Sequence, residues 1–239
     1  MRINWNYIKM IALFGLVIFL FAFASGRNEV RMISEPNVKF VGENNLFITS
    51  KAVSKLLIQN YGGVKNVAKE TLALNELENA LKSNPMIKAA EVYVSINGTL
   101  NAEIEQKTPI ARVSTNASYY IDADGLFMPL SDNYSARVPL VTGYVEKNNL
   151  NSVYQIARKI DNDDFLKKHV FEIHQERQKH FFLKLRKCDF LVQIGDVSAL
   201  DKKINNLKAF YKKALKDNTL KNYSKVNLQF DNQVICTKI

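Results

Sequence analysis

Residues 84–113 read NPMIKAAEVYVSINGTLNAEIEQKTPIARV and carry the pattern of a β-hairpin. Apolar and polar side chains alternate in Ala89–Ile96 and again in Thr99–Gln106, and Asn97-Gly98 joins the two runs. Alternation with a period of two is typical of strands that bury one face. Asn-Gly between two such runs is the strongest short-range signal for a tight hairpin turn. The sequence therefore predicts two paired antiparallel strands here.

One strand and two helices are predicted directly upstream of this hairpin. Val38–Val41 alternates weakly and predicts the strand. The first helix is predicted from Ser50 to about Asn60, because its apolar residues recur at helical spacing. The second helix ends before Pro85, which cannot continue it. The predicted order is strand, helix, helix, strand, strand.

A long hydrophobic segment lies near the N-terminus. Residues 8–25 read IKMIALFGLVIFLFAFAS, and at about 1.5 Å per residue they span roughly 27 Å, close to the hydrocarbon thickness of a bilayer. We predict a cytoplasmic tail over residues 1–9, a transmembrane helix over residues 10–26 and translocation of the long C-terminal part. Ala22-Phe23-Ala24 has the pattern of a signal-peptidase site, so the residues by themselves leave cleavage open. The predicted membrane-anchoring residues are Met10, Leu13, Phe14, Leu16, Val17, Ile18, Phe19, Leu20 and Phe21.

The remainder of the chain predicts a mostly antiparallel sheet with two flanking helices, so the extramembrane part is α+β. Ser118–Asp122 and Leu126–Pro129 form a predicted hairpin around Ala123-Asp124-Gly125, a turn rather than a calcium loop because later ligands are missing. The other predicted strands are Val138–Val145, Val170–His174, Phe181–Leu185, Phe190–Ile194, Val226–Phe230 and Val234–Thr237, and the predicted helices are Leu150–Ile160 and Val197–Leu215.

The charge pattern excludes some functions and leaves others open. The chain has 33 basic and 23 acidic residues, a net charge of +10. Many lysines follow one face of Val197–Leu215, where they would serve solubility or attract anionic lipid or wall polymer. Binding to nucleic acid is not expected of a domain outside the cytoplasm. The cluster Asp161, Asp163 and Asp164 is interpreted as a solvated turn.

The sequence holds no motif of an enzyme, a metal site or a cofactor site. The histidines are His169, His174 and His180, and strand alternation does not place all three on one face. Cys188 and Cys236 are either two small buried side chains or one disulfide between neighbouring strands. We therefore predict a protein that is not an enzyme and needs no cofactor.

Two features of the predicted strand-helix-helix-strand-strand segment resemble the POTRA (polypeptide-transport-associated) domain. Asn84-Pro85-Met86-Ile87 matches the turn that follows the second helix in that family. Residues 105–111, EQKTPIA, are similar to its E-x-x-P-[IV]-A element at the end of the last strand, with one residue more before the proline. The resemblance implies a β-α-α-β-β domain over residues 36–113. A second domain then covers residues 114–239.

The whole chain resembles the cell-division family FtsQ/DivIB. The residues that carry the resemblance are YYIDADGLFMPL (119–130), VQIGDVSALDKKINNLKAFY (192–211) and YSKVNLQFDNQVICTK (223–238), and NLQFDNQVIC is similar to versions from the Bacteroidota. The resemblance implies an uncleaved anchor in the inner membrane, a periplasmic bulk at the division septum and no catalytic activity.

The same resemblance implies the partners. They are bitopic proteins of the FtsB and FtsL type, which connect to septal peptidoglycan synthesis, and other division proteins that contact the POTRA domain. A partner strand would add to the final strand, at Phe230, Asn232, Val234, Cys236 and Lys238. Alternation also allows Phe230 to lie in the core with Val226 and Leu228. The alternative functions are a POTRA-containing assembly factor for outer-membrane proteins and a secreted factor that binds the cell wall.

Overall fold

A computed structural model describes residues 5–29, 36–43, 45–60, 73–178, 180–230 and 233–239. The chain divides into two compact units, Met1–Gln106 and Lys107–Ile239. The sequence places the boundary after Val113, but Pro109–Ser114 pairs with strands of the second unit. The predicted boundary is therefore too late, because a strand that continues an alternating run can still pair with a different sheet.

Helix α1, Trp5–Glu29, contains the predicted membrane segment. Its most apolar part is Tyr7–Gly26, 20 residues with a mean hydropathy of 2.4 and no burial against the protein. At about 1.5 Å per residue this part spans roughly 30 Å. All of the predicted anchoring side chains are exposed. Such a helix fits a single-pass membrane protein, because an apolar surface of this length needs an apolar surrounding.

The rest of the first unit is a small α+β domain with the predicted order of elements. The domain consists of β1 (Asn37–Val41), α2 (Ser50–Asn60), α3 (Leu74–Lys82), β2 (Ile87–Val94) and β3 (Leu100–Gln106). Its sheet has the order β1-β3-β2, with β1 parallel and β2 antiparallel to β3. Both helices bury one side against this sheet, with Val53, Leu57, Leu77 and Leu81 in the core. The predicted turn is confirmed, since Gly98 has φ +87° and its N–H donates to Ser95 O at 2.9 Å.

The second unit is built on a large sheet. In the described part of the chain the sheet has nine strands, in the order β12-β11-β10-β9-β8-β7-β4-β5-β6. The strands are β4 (Pro109–Ser114), β5 (Ser118–Asp122), β6 (Phe127–Met128), β7 (Leu140–Gly143), β8 (Val170–Gln175), β9 (Phe181–Leu185), β10 (Leu191–Gly195), β11 (Tyr223–Asn227) and β12 (Ile235–Lys238). Five of the neighbouring pairs are antiparallel and three are parallel. The prediction of a mostly antiparallel sheet is confirmed.

Among the described residues of this unit, three α-helices cover one face of the sheet. They are α4 (Asn151–Asp161), α5 (Asp164–His169) and α6 (Leu200–Lys216). Their buried residues, such as Ile156, Leu166 and Leu207, share one core with alternate residues of the strands, such as Leu183 and Val192. The two predicted helices correspond to α4 and α6. The sequence missed α5, which is short and polar on its outer side.

Candidate partner-binding edge

Strand β12 forms one edge of the large sheet. It pairs with β11 in antiparallel register, with Val226 opposite Cys236 and Asn227 opposite Ile235. Among the described residues no strand pairs with its other side. An edge strand carries a row of backbone groups that a further strand can bind. This side of β12 is therefore the natural candidate for a binding site.

The backbone of Cys236 faces this edge. The Leu228 N–H donates to Gln193 O on β10 at 2.9 Å, so alternation along β11 also turns the backbone of Val226 toward β10. Because residues directly opposite each other share their pairing type, Cys236 is not hydrogen-bonded to Val226. The N–H and C=O of Cys236 consequently point away from β11. They are free to pair with an added strand.

The side chains of β12 divide between the two faces of the sheet. Cys236 and Val234, which directly precedes the strand, are half-buried against the core on the helix side. Ile235 is 43% exposed, and it lies with Thr237 on the open face. The residues that the family resemblance implies on this strand belong to the even-numbered set, whereas Ile235 belongs to the other set. The run Val-Ile-Cys-Thr is apolar or small at every position, so it gave no signal for the choice of face.

Phe230 lies outside the strand in which the sequence placed it. Strand β11 ends at Asn227, and Phe230 lies in the connection to β12 with 45% of its surface exposed. Leu228 N–H still bonds to β10, but Gln229 N–H turns to the side chain of Asn227 at 2.9 Å. This turn ends the strand, so the predicted strand Val226–Phe230 is wrong at its end. It also removes Phe230 from the core that holds Val226 and Leu228.

The other predicted residues of the edge have different positions. Asn232, with the predicted turn at Asp231-Asn232, lies outside the described residues. Cys236 and Lys238 lie on β12, and the latter is exposed. The structure thus brings Val234, Cys236 and Lys238 to one edge, with Phe230 in the connection that leads to it.

A groove runs beside β12 on the helix side of the sheet. It is lined by Phe210, Lys213, Ala214, Asp217, Thr219, Tyr223 and Cys236, and its volume is about 180 Å³. Phe210 and Tyr223 pack edge to face, with ring centroids 5.4 Å apart. The two rings give the groove an apolar part, and its exposed charged side chains are Lys213 and Asp217. Side chains of a strand added to β12 that point toward the helices would lie over it.

Unpaired lysines lie near this edge, together with Asp217 of the groove. Lys213 and Lys216 on α6 and Lys238 on β12 are exposed, with no carboxylate partner in the described part of the chain. Lys225 lies on the open face, 5.8 Å from the ring centroid of Phe182. A partner with acidic residues would be favoured here.

The remaining lysines of α6 are only partly available to an outside ligand. Lys203 is buried and donates to the carboxylate of Asp196 at 2.8 Å. Lys208 pairs with Asp163, whose other oxygen accepts the Leu166 N–H at the start of α5. Asp163 is therefore a helix cap and an ion-pair partner, and its interpretation as a solvated turn is wrong.

The cysteines and histidines have structural environments. Cys188 and Cys236 are free thiols, and burial raises the pKa of both. His169 stacks on Phe165 with ring centroids 4.5 Å apart. His174 contacts the Thr142 hydroxyl through Nδ1 at 2.9 Å on the open face. Within the described ranges no group of three His, Cys, Asp or Glu side chains could hold a metal ion.

An apolar membrane-length helix, a β-α-α-β-β domain and a large sheet with an open edge fit a single-pass membrane protein with two further domains. The POTRA-like domain model matches residues 40–105. The model described as FtsQ/DivIB, C-terminal related, matches residues 108–237. The chain belongs to the FtsQ/DivIB family.

A relative supports the same assignment. The chain is 25% identical over 180 residues to a cell division protein FtsQ from Geotalea daltonii, and the match covers 70% of this chain. It spans 64% of the length of that relative. Family membership supports a role in cell division.

Proposed function

We propose that this protein is a non-enzymatic scaffold of bacterial cell division that holds partner proteins at the membrane. The observation that carries the proposal is the free backbone edge of β12, where the N–H and C=O of Cys236 point outward. Strand addition at such an edge uses backbone hydrogen bonds for affinity and alternate side chains for specificity. The partners are bitopic proteins of the FtsB and FtsL type, as in the family.

Two surfaces beside the edge support strand addition. Alternate side chains of an added strand would lie over the groove at Phe210 and Tyr223, or beside Ile235 on the open face. Phe230 would cover an apolar partner residue near the start of β12. The unpaired lysines, among them Lys213, favour acidic residues in the partner segment and make the association weaker at high salt.

The proposed location follows from α1. Its 20-residue apolar span would hold the two domains at the periplasmic face of the inner membrane, with the N-terminus inside. The protein would accumulate at the septum and relay partner binding to septal peptidoglycan synthesis. Upstream division proteins would contact the POTRA domain.

A proline substitution tests the edge directly. Cys236→Pro removes the outward N–H, while proline is tolerated on an edge strand when its nitrogen faces away from the sheet. We expect the full-length variant to lose co-purification with the FtsB-type partner. Cys236→Ala is the matched control, because it removes the same thiol but keeps the N–H. Loss of the partner in both variants, or in neither, would contradict strand addition at β12.

Depletion of the protein tests the cellular role. We expect cells to grow as filaments that form no septa. Accumulation of unfolded outer-membrane proteins with normal septation would instead favour an assembly factor and contradict the proposal.

A further inference from the structure

A small cleft lies at the end of the large sheet where the chain enters the second unit. It is lined by Ile110, Arg137, Val138, Pro139, Ile160, Asp161, Lys167, Val170 and Arg186. The residues come from the starts of β4 and β8, the approach to β7, the end of β9 and the ends of α4 and α5. The cleft is separate from the edge at β12, which lies four strands away from β8 in the sheet order.

The floor of the cleft is apolar and its rim is basic. Ile110, Ile160 and Val170 are almost completely buried. Arg137, Lys167 and Arg186 are exposed at the rim. An apolar floor keeps water from one side of a bound ion and so strengthens its attraction to the cations around it.

Backbone hydrogen bonds fix the segments that carry the two arginines. The Arg186 N–H donates to His169 O at 2.6 Å, which joins the end of β9 to the end of α5. The Arg112 N–H donates to Pro139 O at 2.9 Å, which holds the segment after Arg137 against β4. The rim is therefore formed by anchored chain, not by a free loop tip.

The charges of the cleft do not balance internally. Lys167 pairs with Asp161, with Nζ and Oδ1 2.7 Å apart. Within the residues that the structure describes, the guanidinium groups of Arg137 and Arg186 have no carboxylate partner and no side-chain hydrogen bond. Two unpaired guanidinium groups at one small cleft leave it with an excess of positive charge.

The size and the donors of the cleft select a class of ligand. Its volume is about 40 Å³, and since one water needs about 10–15 Å³ of such space, the cleft holds roughly three waters or one small oxyanion. Guanidinium groups bind carboxylate and phosphate oxygens through pairs of parallel hydrogen bonds. We propose that the Arg137–Arg186 cleft binds the head of an anionic group, a carboxylate or a phosphate.

The test measures the NMR chemical shifts of methyl groups that line the cleft. The full chain, purified in a neutral detergent, is labelled at its isoleucine and valine methyl groups and titrated with inorganic phosphate and, separately, with acetate. We expect saturable shifts of Ile110, Val138 and Val170 with at least one ion, while the distant Val192 does not move. Shifts that grow without saturation, or that are equal at Val192, would overturn the proposal.

Charge-matched variants separate a site from general attraction. Arg137→Gln and Arg186→Gln each lose one positive charge, and so does Lys168→Gln on the exposed side of α5, outside the cleft. Because charge-assisted hydrogen bonds are stronger than neutral ones, we expect each arginine variant to weaken binding roughly tenfold or more. Lys168→Gln should bind as the unchanged protein does. Equal weakening in all three would overturn the site.

Lipid bilayers identify the source of the anion. The full chain is placed in nanodiscs of phosphatidylglycerol or of phosphatidylcholine. If the methyl groups of the cleft change chemical shift in phosphatidylglycerol relative to phosphatidylcholine without added ion, and Arg186→Gln abolishes the change, the ligand is a lipid headgroup. Shifts that require added phosphate or acetate in both lipids assign it to a soluble or wall-borne anion. Both results support the cleft, and no response in either lipid overturns it.

Discussion

The ammonium of Lys203 lies 2.8 Å from the carboxylate of Asp196 and 2.9 Å from the backbone carbonyl of the same residue. Lys203 is buried, whereas 67% of the Asp196 side chain is exposed. The pair joins the first turns of α6 to the loop after β10. Hydrogen bonds from Lys203 and Ser198 lower the pKa of Asp196 from 3.8 to about 2.

This pair predicts a pH dependence of stability. Because the pKa of Asp196 is lower in the folded state, its contribution is present above about pH 4 and is lost as the pH falls toward 2. We expect Lys203→Met to reduce the loss of stability between pH 4 and pH 2, measured as the shift of the urea midpoint. Solvent screening of Asp196 makes the effect modest. Lys212→Met, on an exposed turn of α6, is the control and should leave the pH profile unchanged.

Loss of the Gln106 side chain should strongly destabilise the POTRA-like domain. Its side-chain Oε1 accepts from Phe47 N at 2.9 Å and Ile48 N at 3.1 Å, and its Nε2 donates to Ile48 O at 2.9 Å. Gln106→Met removes these three hydrogen bonds to buried backbone groups, which costs on the order of 3 kcal/mol or more. Denaturant unfolding with a probe in the first unit measures this loss. Gln193→Met, at a side chain of the second unit whose oxygen has no partner, should cost far less when a probe in that unit is followed.

Two substitutions of Asp163 should separate the contribution of its charge to stability from the contribution of its helix cap. Its side chain accepts from Leu166 N at 3.1 Å. Burial raises the pKa of Asp163, but the hydrogen bonds from Lys208 and from this N–H outweigh it and leave the pKa lowered. Asp163→Asn keeps an acceptor for the cap and loses the ion pair, whereas Asp163→Ala loses both. We expect Asp163→Ala to cost about 1–2 kcal/mol through the cap alone, and Asp163→Asn to cost less. Equal losses of unfolding free energy would show that the cap contributes nothing.

Substitution of Phe230 should impair partner binding without impairing folding. The ring is 45% exposed, so Phe230→Glu should leave the thermal midpoint nearly unchanged. The same change should abolish co-purification with the FtsB-type partner, because it places a charge where an apolar contact is proposed. Leu126→Glu changes an exposed leucine in the turn between β5 and β6 and serves as the control. Undiminished binding of Phe230→Glu would remove Phe230 from the site.

The membrane segment predicts the N-terminus of the mature protein. We expect intact-mass measurement of the membrane fraction to give a chain that retains α1. A mature N-terminus at Ser25 would show that cleavage follows Ala22-Phe23-Ala24 and that no anchor remains.

The elements with strong local signals could be predicted from the sequence. The hairpin around Asn97-Gly98 and the periodic helix α4 appear where the pattern places them, and α6 begins at Leu200, three residues after its predicted start. The pairing of distant strands could not be predicted. Pro109–Ser114 follows β3 directly, yet it pairs in parallel with β7 and in antiparallel register with β5.

The candidate site shows the same division. The sequence located the edge near residues 234–238, because a family resemblance covers the order of elements. It did not locate the end of β11 at Asn227, since Leu228 continues the apolar alternation although its neighbour Gln229 turns away. It also gave no sign of the Arg137–Arg186 cleft, whose residues are far apart in the chain.

The sequence by itself determined the membrane-length helix, the order of elements in the first unit, the long helices α4 and α6 of the second unit, and the family. These depend on hydrophobic length and on periods of two and 3.6 residues, which are local properties. Only the tertiary structure decided which backbone groups of β12 are free, which lysines of α6 are paired with Asp163 and Asp196, and which arginines remain unpaired. Those outcomes depend on contacts between residues distant in the chain, and such contacts leave no periodic pattern in the residues themselves.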